Sequence, residues 1–153
     1  MALVPLPRPV LAARRLTAQY KLYPPTDVFN LAKRHRIDVY YAPLDSASGM
    51  LVPHGNRYEI IVNSRTRSPN RIRFTVAHEL GHFFLHAQDR RAYRQSTCRG
   101  EVEREANSFA AELLMPAHAM RPLLMRYHST QAMANYCGVS YQAMTYRLQE
   151  LGL

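Results

Sequence analysis

The spacing of apolar positions along this 153-residue chain changes period twice, from helical to strand-like and back, and the changes mark out its elements. From Val10 to Tyr23, Leu11, Leu16 and Leu22 recur with Ala12, Ala13 and Ala18 at helical spacing until the pair Pro24 and Pro25 stops the run. Thr26 and Asp27 supply capping oxygens for a second helix, whose apolar stripe is Val28, Leu31 and Ala32 and which reaches His35. Three β-branched and aromatic runs follow, Ile37 to Tyr41, Met50 to Val52 and Tyr58 to Val62. Turn chemistry at Ser48-Gly49 and Gly55-Asn56 separates them and predicts a small antiparallel sheet.

From Arg71 the helical period returns, with Ile72, Val76, Leu80, Phe83 and Phe84 on one side through about His86. A polar, arginine-rich connection from Ala87 to Gly100 leads to a helical stretch from Glu101 to Met115, ended by Pro116. His118 to Leu153 reads as helices alone. The fold class expected is α+β: a small antiparallel sheet packed on helices, with a C-terminal helix-turn-helix-like segment. We expect one domain over 1–153, with an arm and helix over 1–25, a core over 26–116 and a helical subdomain over 117–153.

Composition narrows the classes. With 47% hydrophobic residues the chain can bury one sizeable core, which excludes a disordered tail or a collagen-like fibre. No apolar run reaches the roughly 18–20 residues of a spanning helix. Pro5, Pro7, Arg8 and Pro9 break up the apolar start before it forms a secretion signal, so the expected location is the cytoplasm, without membrane attachment. Cys98 and Cys137 are too few for a disulfide framework and read as reduced thiols. Twenty Lys plus Arg against eleven Asp plus Glu give a net charge of +9, and only Lys21 and Lys33 are lysines. An arginine field of this kind favours anionic partners, nucleic acid or an acidic protein face, without naming one.

The residues that carry chemistry are His78, Glu79, Leu80, Gly81 and His82, the pattern His-Glu-x-x-His inside a helical run. Side chains four apart on a helix lie about 40° from each other around the axis, so both imidazoles can converge on one ion. Glu79 falls to the flank, where it can reach a metal-bound water without ligating the ion, the position of a general base. A hydrolytic zinc needs a third protein ligand and one open position. The next helix offers Glu101, Glu103 and Glu105. Glu103 and Asn107 are one turn apart and share a face with Ala106, Ala110 and Leu114, the side expected to pack on the first helix; that register selects Glu103, with Glu105 its chief competitor. Asn107 is then placed to accept from the free ring N–H of a ligating histidine. His86 extends the series but cannot ligate the same ion from one straight helix, and a helix-end or packing role is expected for it. Tyr58, Tyr141, Tyr146, Arg147 and His128 are all candidates for a second oxyanion donor, and spacing does not choose among them.

Arg73-Phe74-Thr75-Val76-Ala77-His78-Glu79-Leu80-Gly81-His82, followed by Glu103-Arg104-Glu105-Ala106-Asn107-Ser108-Phe109-Ala110-Ala111-Glu112-Leu113-Leu114-Met115-Pro116, resembles the ImmA/IrrE family of zinc metallopeptidases. The resemblance covers about Thr26 to Leu153. It implies zinc, with manganese as the alternative ion, on His78, His82 and Glu103, and Glu79 as the base. It also implies regulated proteolysis, the cleavage of a helix-turn-helix transcriptional repressor that switches on phage-like, mobile-element or DNA-damage genes. The length predicts a member without the extra N-terminal DNA-binding domain or C-terminal sensor domain of larger ones.

Thr130 to Leu148 has helix-turn-helix spacing: small Ala134 in the first helix, Gly138 at the turn, Val139 buried and Ser140 capping the second helix. Arg147 is the one cation on that second helix, against Glu150 nearby, which favours packing or substrate docking over nucleic-acid binding. The substrate is expected to pair with the sheet edge near Tyr58 to Val62 and to touch this tail. A reading from a different class is a non-catalytic regulator, one half of a toxin–antitoxin-like pair, that binds a repressor or DNA around a structural zinc. The oligomeric state is not legible.

Overall fold

A computed structural model describes residues 5–87 and 99–153. Helix α1 spans Arg8–Tyr20 and is closed by Lys21 in the left-handed conformation, so it stops before the Pro24-Pro25 pair. Helix α2, Val28–Arg34, is capped by the Asp27 carboxylate, which accepts from the Asn30 backbone N–H. Strands β1 (Asp38–Ala42), β2 (Gly49–His54) and β3 (Arg57–Asn63) form one sheet in the order β1-β3-β2.

The sheet is mixed, which corrects the expectation of an antiparallel one. β2 and β3 form the expected antiparallel hairpin through Gly55 and Asn56, with Leu51 opposite Ile60, but β1 runs parallel to β3, with Val39 opposite Ile60. The reason lies in the connection over 43–48. It reverses the chain but carries it past the position beside β1, which β3 fills, and Asn63 holds it there, its side-chain NH2 donating to the carbonyls of Leu44 and Ala47 at 2.9 and 3.0 Å. Because β3 is central, Glu59 to Val62 has both edges occupied and cannot take a further strand; among the described residues the outer edges of the sheet are those of β1 and β2.

Helix α3, Pro69–Leu85, starts at Ser68, whose hydroxyl accepts from the Arg71 N–H, and lies against β2 and β3. Helix α4, Arg99–Leu114, packs along α3 with Ala106, Phe109, Ala110, Leu113 and Leu114 fully buried. Gly81 sets how close the two helices come. A Cβ there would sit 3.1 Å from the Cα and carbonyl oxygen of Ala106 and from the Phe109 ring, so a side chain would push the pair apart.

Helices α5 (Ala117–Tyr127), α6 (Thr130–Cys137) and α7 (Tyr141–Glu150) complete the described chain. α6 and α7 form the helix-turn-helix pair: Gly138 turns with φ 67°, Val139 is buried, and Ser129 and Ser140 cap the two helices. The pair is fastened to the core. Arg73 of α3 donates to the carbonyls of Gly138 and Thr26, and Asn70 donates to that of Val139. Arg147 is buried, donating to the Glu112 and Glu150 carboxylates and, at 2.9 Å, to the Met115 carbonyl. Cys137 is a buried free thiol whose pKa burial raises to about 11. Among the described residues no helix is long and apolar enough to cross a membrane. Cys98 and most of the polar connection from Ala87 to Gly100 lie outside the described residues.

Candidate metal centre

The centre forms where α3 and α4 meet beside β2. His78 and His82, one turn apart on α3, turn their Nε2 atoms toward each other at 3.0 Å. Glu103 reaches over from α4, with Oε2 3.0 Å from His78 Nε2 and Oε1 3.2 Å from His82 Nε2. One potential ligand atom from each of the three lies within 4.8 Å of the others. Of the two competing carboxylates, Glu103 is the one brought to the histidine pair; Glu105 instead reaches His86, its Oε2 2.7 Å from His86 Nε2.

These residues suit a cation. Asn107 Oδ1 can only accept, so the 2.8 Å contact with His78 Nδ1 is a donation from the ring, which leaves Nε2 of the neutral imidazole with its lone pair facing Glu103 and His82. Two imidazole nitrogens and a carboxylate aimed at one point repel unless a positive charge stands between them. For bonds of about 2.0–2.1 Å in a tetrahedral zinc site the donors would be about 3.3 Å apart, close to the separations seen here. His82 is nearly inaccessible, and its pKa is lowered to about 4, by burial first and then by the neighbouring His78, so it stands neutral and ready to ligate.

Glu79 sits beside this cluster rather than in it. Its carboxyl is buried, and its pKa is raised to about 7, mainly by loss of water and then by the charge of Glu103; a backbone hydrogen bond from Leu51 of β2 opposes the rise. β2 can come this close because Gly49 lacks a side chain: a Cβ would overlap Thr75 Cγ2 and stand 3.5 Å from Glu79 Cγ. His78, Glu79, His82, Glu103 and Asn107 all face a cleft of about 520 Å³, whose opposite wall is Ser48 to Leu51.

None of the five oxyanion candidates lines this cleft. Tyr58 donates to the Ala87 carbonyl, Arg147 is buried in the core, and Tyr141 and Tyr146 are exposed on α7. His128 closes α5 in a left-handed turn. The donors that do line the cleft, besides Asn107, include Arg71 and Ser48, hydrogen-bonded to each other. Sequence reasoning missed Arg71, although it precedes His78 by two helical turns and therefore shares its face of α3.

The α+β scaffold, with its His-Glu-x-x-His helix and a carboxylate from the next helix, defines a metallopeptidase domain. The chain belongs to the family described as the IrrE N-terminal-like domain, whose model matches residues 32–149. It is 32% identical over 124 residues to the radiation response metalloprotease IrrE of Deinococcus radiodurans, covering 74% of this chain and 37% of that protein. To the protein of the same name from Deinococcus deserti it is again 32% identical, covering 43% of it. The metallopeptidase ImmA of Bacillus subtilis is 25% identical over 140 residues, 86% of this chain and 80% of that one. The chain thus spans less than half the length of the two IrrE proteins. In fold it matches a Mycobacterium tuberculosis transcriptional regulator with a TM-score of 0.70 at 20% identity, over 94% of this chain and 56% of the other.

Proposed function

We propose that this protein is a zinc-dependent endopeptidase that cuts a helix-turn-helix transcriptional repressor, with His78, His82 and Glu103 as the ion's ligands and Glu79 as general base. The observation that carries the reading is the convergence of three lone-pair donors on one point that opens onto a cleft beside a buried carboxyl. A structural ion is enclosed by four protein ligands, whereas three ligands facing open space leave a corner for reactants. Two imidazole nitrogens favour zinc over manganese, which prefers oxygen. When bound, a divalent ion supplies Lewis acidity, making an attacking water more acidic and polarising the scissile carbonyl.

The remaining work falls to side chains. Asn107 holds the His78 ring in the tautomer that leaves Nε2 bare. The Leu51 N–H anchors the Glu79 carboxylate, and a carboxyl poised near neutrality can take a proton from water and return it to the leaving amine. An extended substrate segment lies along the cleft wall formed by β2, whose outer edge pairs with no other strand among the described residues. We assign the chemistry to residues 26–116 and docking of the partner to 117–153, where Tyr141 and Tyr146 are exposed and Arg147 is not. Nucleic-acid binding by α7 is disfavoured for that reason. The relatives' names, radiation response metalloprotease and metallopeptidase, and the transcriptional regulator of similar fold, support a substrate among regulators.

The test is to mix the zinc-loaded protein with the repressor encoded beside it and look for fragments. Glu79→Gln is expected to slow cleavage by about 10²–10⁴-fold. Equal cleavage by that variant sinks the base assignment. A repressor that binds but is never cut points to a non-catalytic regulator.

A further inference from the structure

We infer that His86 and Glu105 form a relay behind His82 that fixes which of its ring nitrogens faces the ion, so that both are positioning residues of the metal centre. This rests on the reading of His82 as a ligand. Among the described residues the relay runs outward from the centre, away from the cleft. Glu105 is two positions beyond Glu103 on α4, which turns it off the face that Glu103 presents, and its Oε2 meets His86 Nε2 at 2.7 Å. His86 closes the C-terminal end of α3, one turn after His82. Its Nδ1 lies 3.1 Å from His82 Nδ1.

Donor and acceptor roles follow in sequence along this line. A carboxylate accepts, so His86 donates its Nε2–H to Glu105. With one proton on the His86 ring its Nδ1 is bare, and the hydrogen bond to His82 then forms only if His82 supplies the proton from its own Nδ1. That leaves His82 Nε2 without a proton, and this is the atom 3.2 Å from Glu103 and 3.0 Å from His78. Both His82 and His86 are buried, so water does not compete for these bonds. The carboxylate at the far end also favours the positive character a ring acquires on giving its lone pair to an ion. Helix α4 therefore serves the centre three times: Glu103 toward the ion, Asn107 behind His78, and Glu105, through His86, behind His82.

The experiment uses the full chain and two readings, zinc affinity by chelator competition and the His82 tautomer by long-range proton–nitrogen NMR on the metal-free protein. The wild type is expected to show His82 protonated on Nδ1. His86→Leu should lose that preference and weaken zinc binding by about 10–100-fold, while His86→Asn, whose side-chain oxygen takes the acceptor position, should stay within about threefold of wild type. Should His86→Leu fail to fold, Glu105→Leu, which leaves the ring in place but unanchored, carries the same expectation. A wild-type His82 protonated on Nε2, or leucine variants that bind zinc as tightly as wild type, would overturn the relay while leaving the ligand assignment intact. A wild type that binds no divalent ion would overturn the ligand assignment, and the relay with it.

Discussion

Two of the carboxylates on helix α4, Glu103 and Glu112, have opposite surroundings. The Glu112 side chain is 1% exposed and answered by cations: Arg14 Nε donates to it at 2.9 Å, Arg147 Nη2 donates to its other oxygen, and the Ala117 N–H adds a third bond. The Glu103 side chain is 49% exposed and faces two imidazole nitrogens whose neutral forms bring no positive charge. A carboxylate matched by guanidinium groups has its charge balanced by the fold and ties elements together, here α1, α4, α5 and α7. One that converges with other lone pairs is balanced only by an added ion. Ion pairing alone therefore does not mark a working site; the mismatch of like donors does.

The comparison breaks first if Glu112 proves dispensable. Glu112→Ala leaves the buried Arg147 with the largely exposed Glu150 as its one carboxylate partner among the described residues, and a loss of about 3–5 kcal/mol in unfolding free energy is expected in denaturant titrations. A change below about 1 kcal/mol would place Glu112 among ordinary surface carboxylates. Glu103→Ala should do the reverse, lowering zinc affinity by at least about 100-fold. The metal-free protein should meanwhile stay within about 0.5 kcal/mol of wild type, as for a half-exposed side chain.

A third variant probes the spacing that lets α4 serve both roles. Gly81→Ala forces a methyl group against the Ala106 backbone and is expected to cost about 1–3 kcal/mol. It should weaken zinc binding as well, since Glu103 is carried away from the histidines. Retained affinity with lowered stability would mean that helix separation does not set the site.

The smallest net effect is in the pH dependence of the metal-free wild type. Glu79 has a folded pKa of about 7 against 4.5, so its contribution to stability is complete below 4.5 and is lost as pH rises through 7. His82, lowered from 6.5 to about 4, contributes in the opposite sense, gaining stability as pH rises over 4 to 6.5. The two oppose each other across most of that window. Melting curves should therefore show Glu79→Gln gaining on wild type steadily from pH 4.5 to 7, and a constant difference would refute the raised pKa.

How much of this was legible beforehand depended on whether the relevant contact is local. The convergence of His78 and His82 follows from helical spacing, and the preference for Glu103 over Glu105 follows from which face of α4 carries Ala106 and Ala110. The helix-turn-helix pair was readable because Gly138 and Ser140 do their work within a few residues of themselves. The parallel pairing of β1 with β3 was not readable, since strand order depends on a crossing connection held by Asn63 from across the sheet. The contact of Glu105 with His86 and that of Glu112 with Arg147 join helices whose relative rotation no single-helix pattern fixes. His86 could be excluded as a ligand on geometry, yet its hydrogen bond to His82 could not be anticipated.

The inward turn of Arg147 gives the exposed side of α7 a particular surface character. Tyr141 and Tyr146 stand out there, 55% and 64% exposed, with the one guanidinium of the helix buried beneath them. A partner gripping that side would adhere through ring faces and hydroxyls, and its hold would persist in concentrated salt. Contacts to the exposed arginines Arg65, Arg67 and Arg71, near the start of α3, would fade under the same conditions. Two such grips would be distinguishable by ionic strength alone.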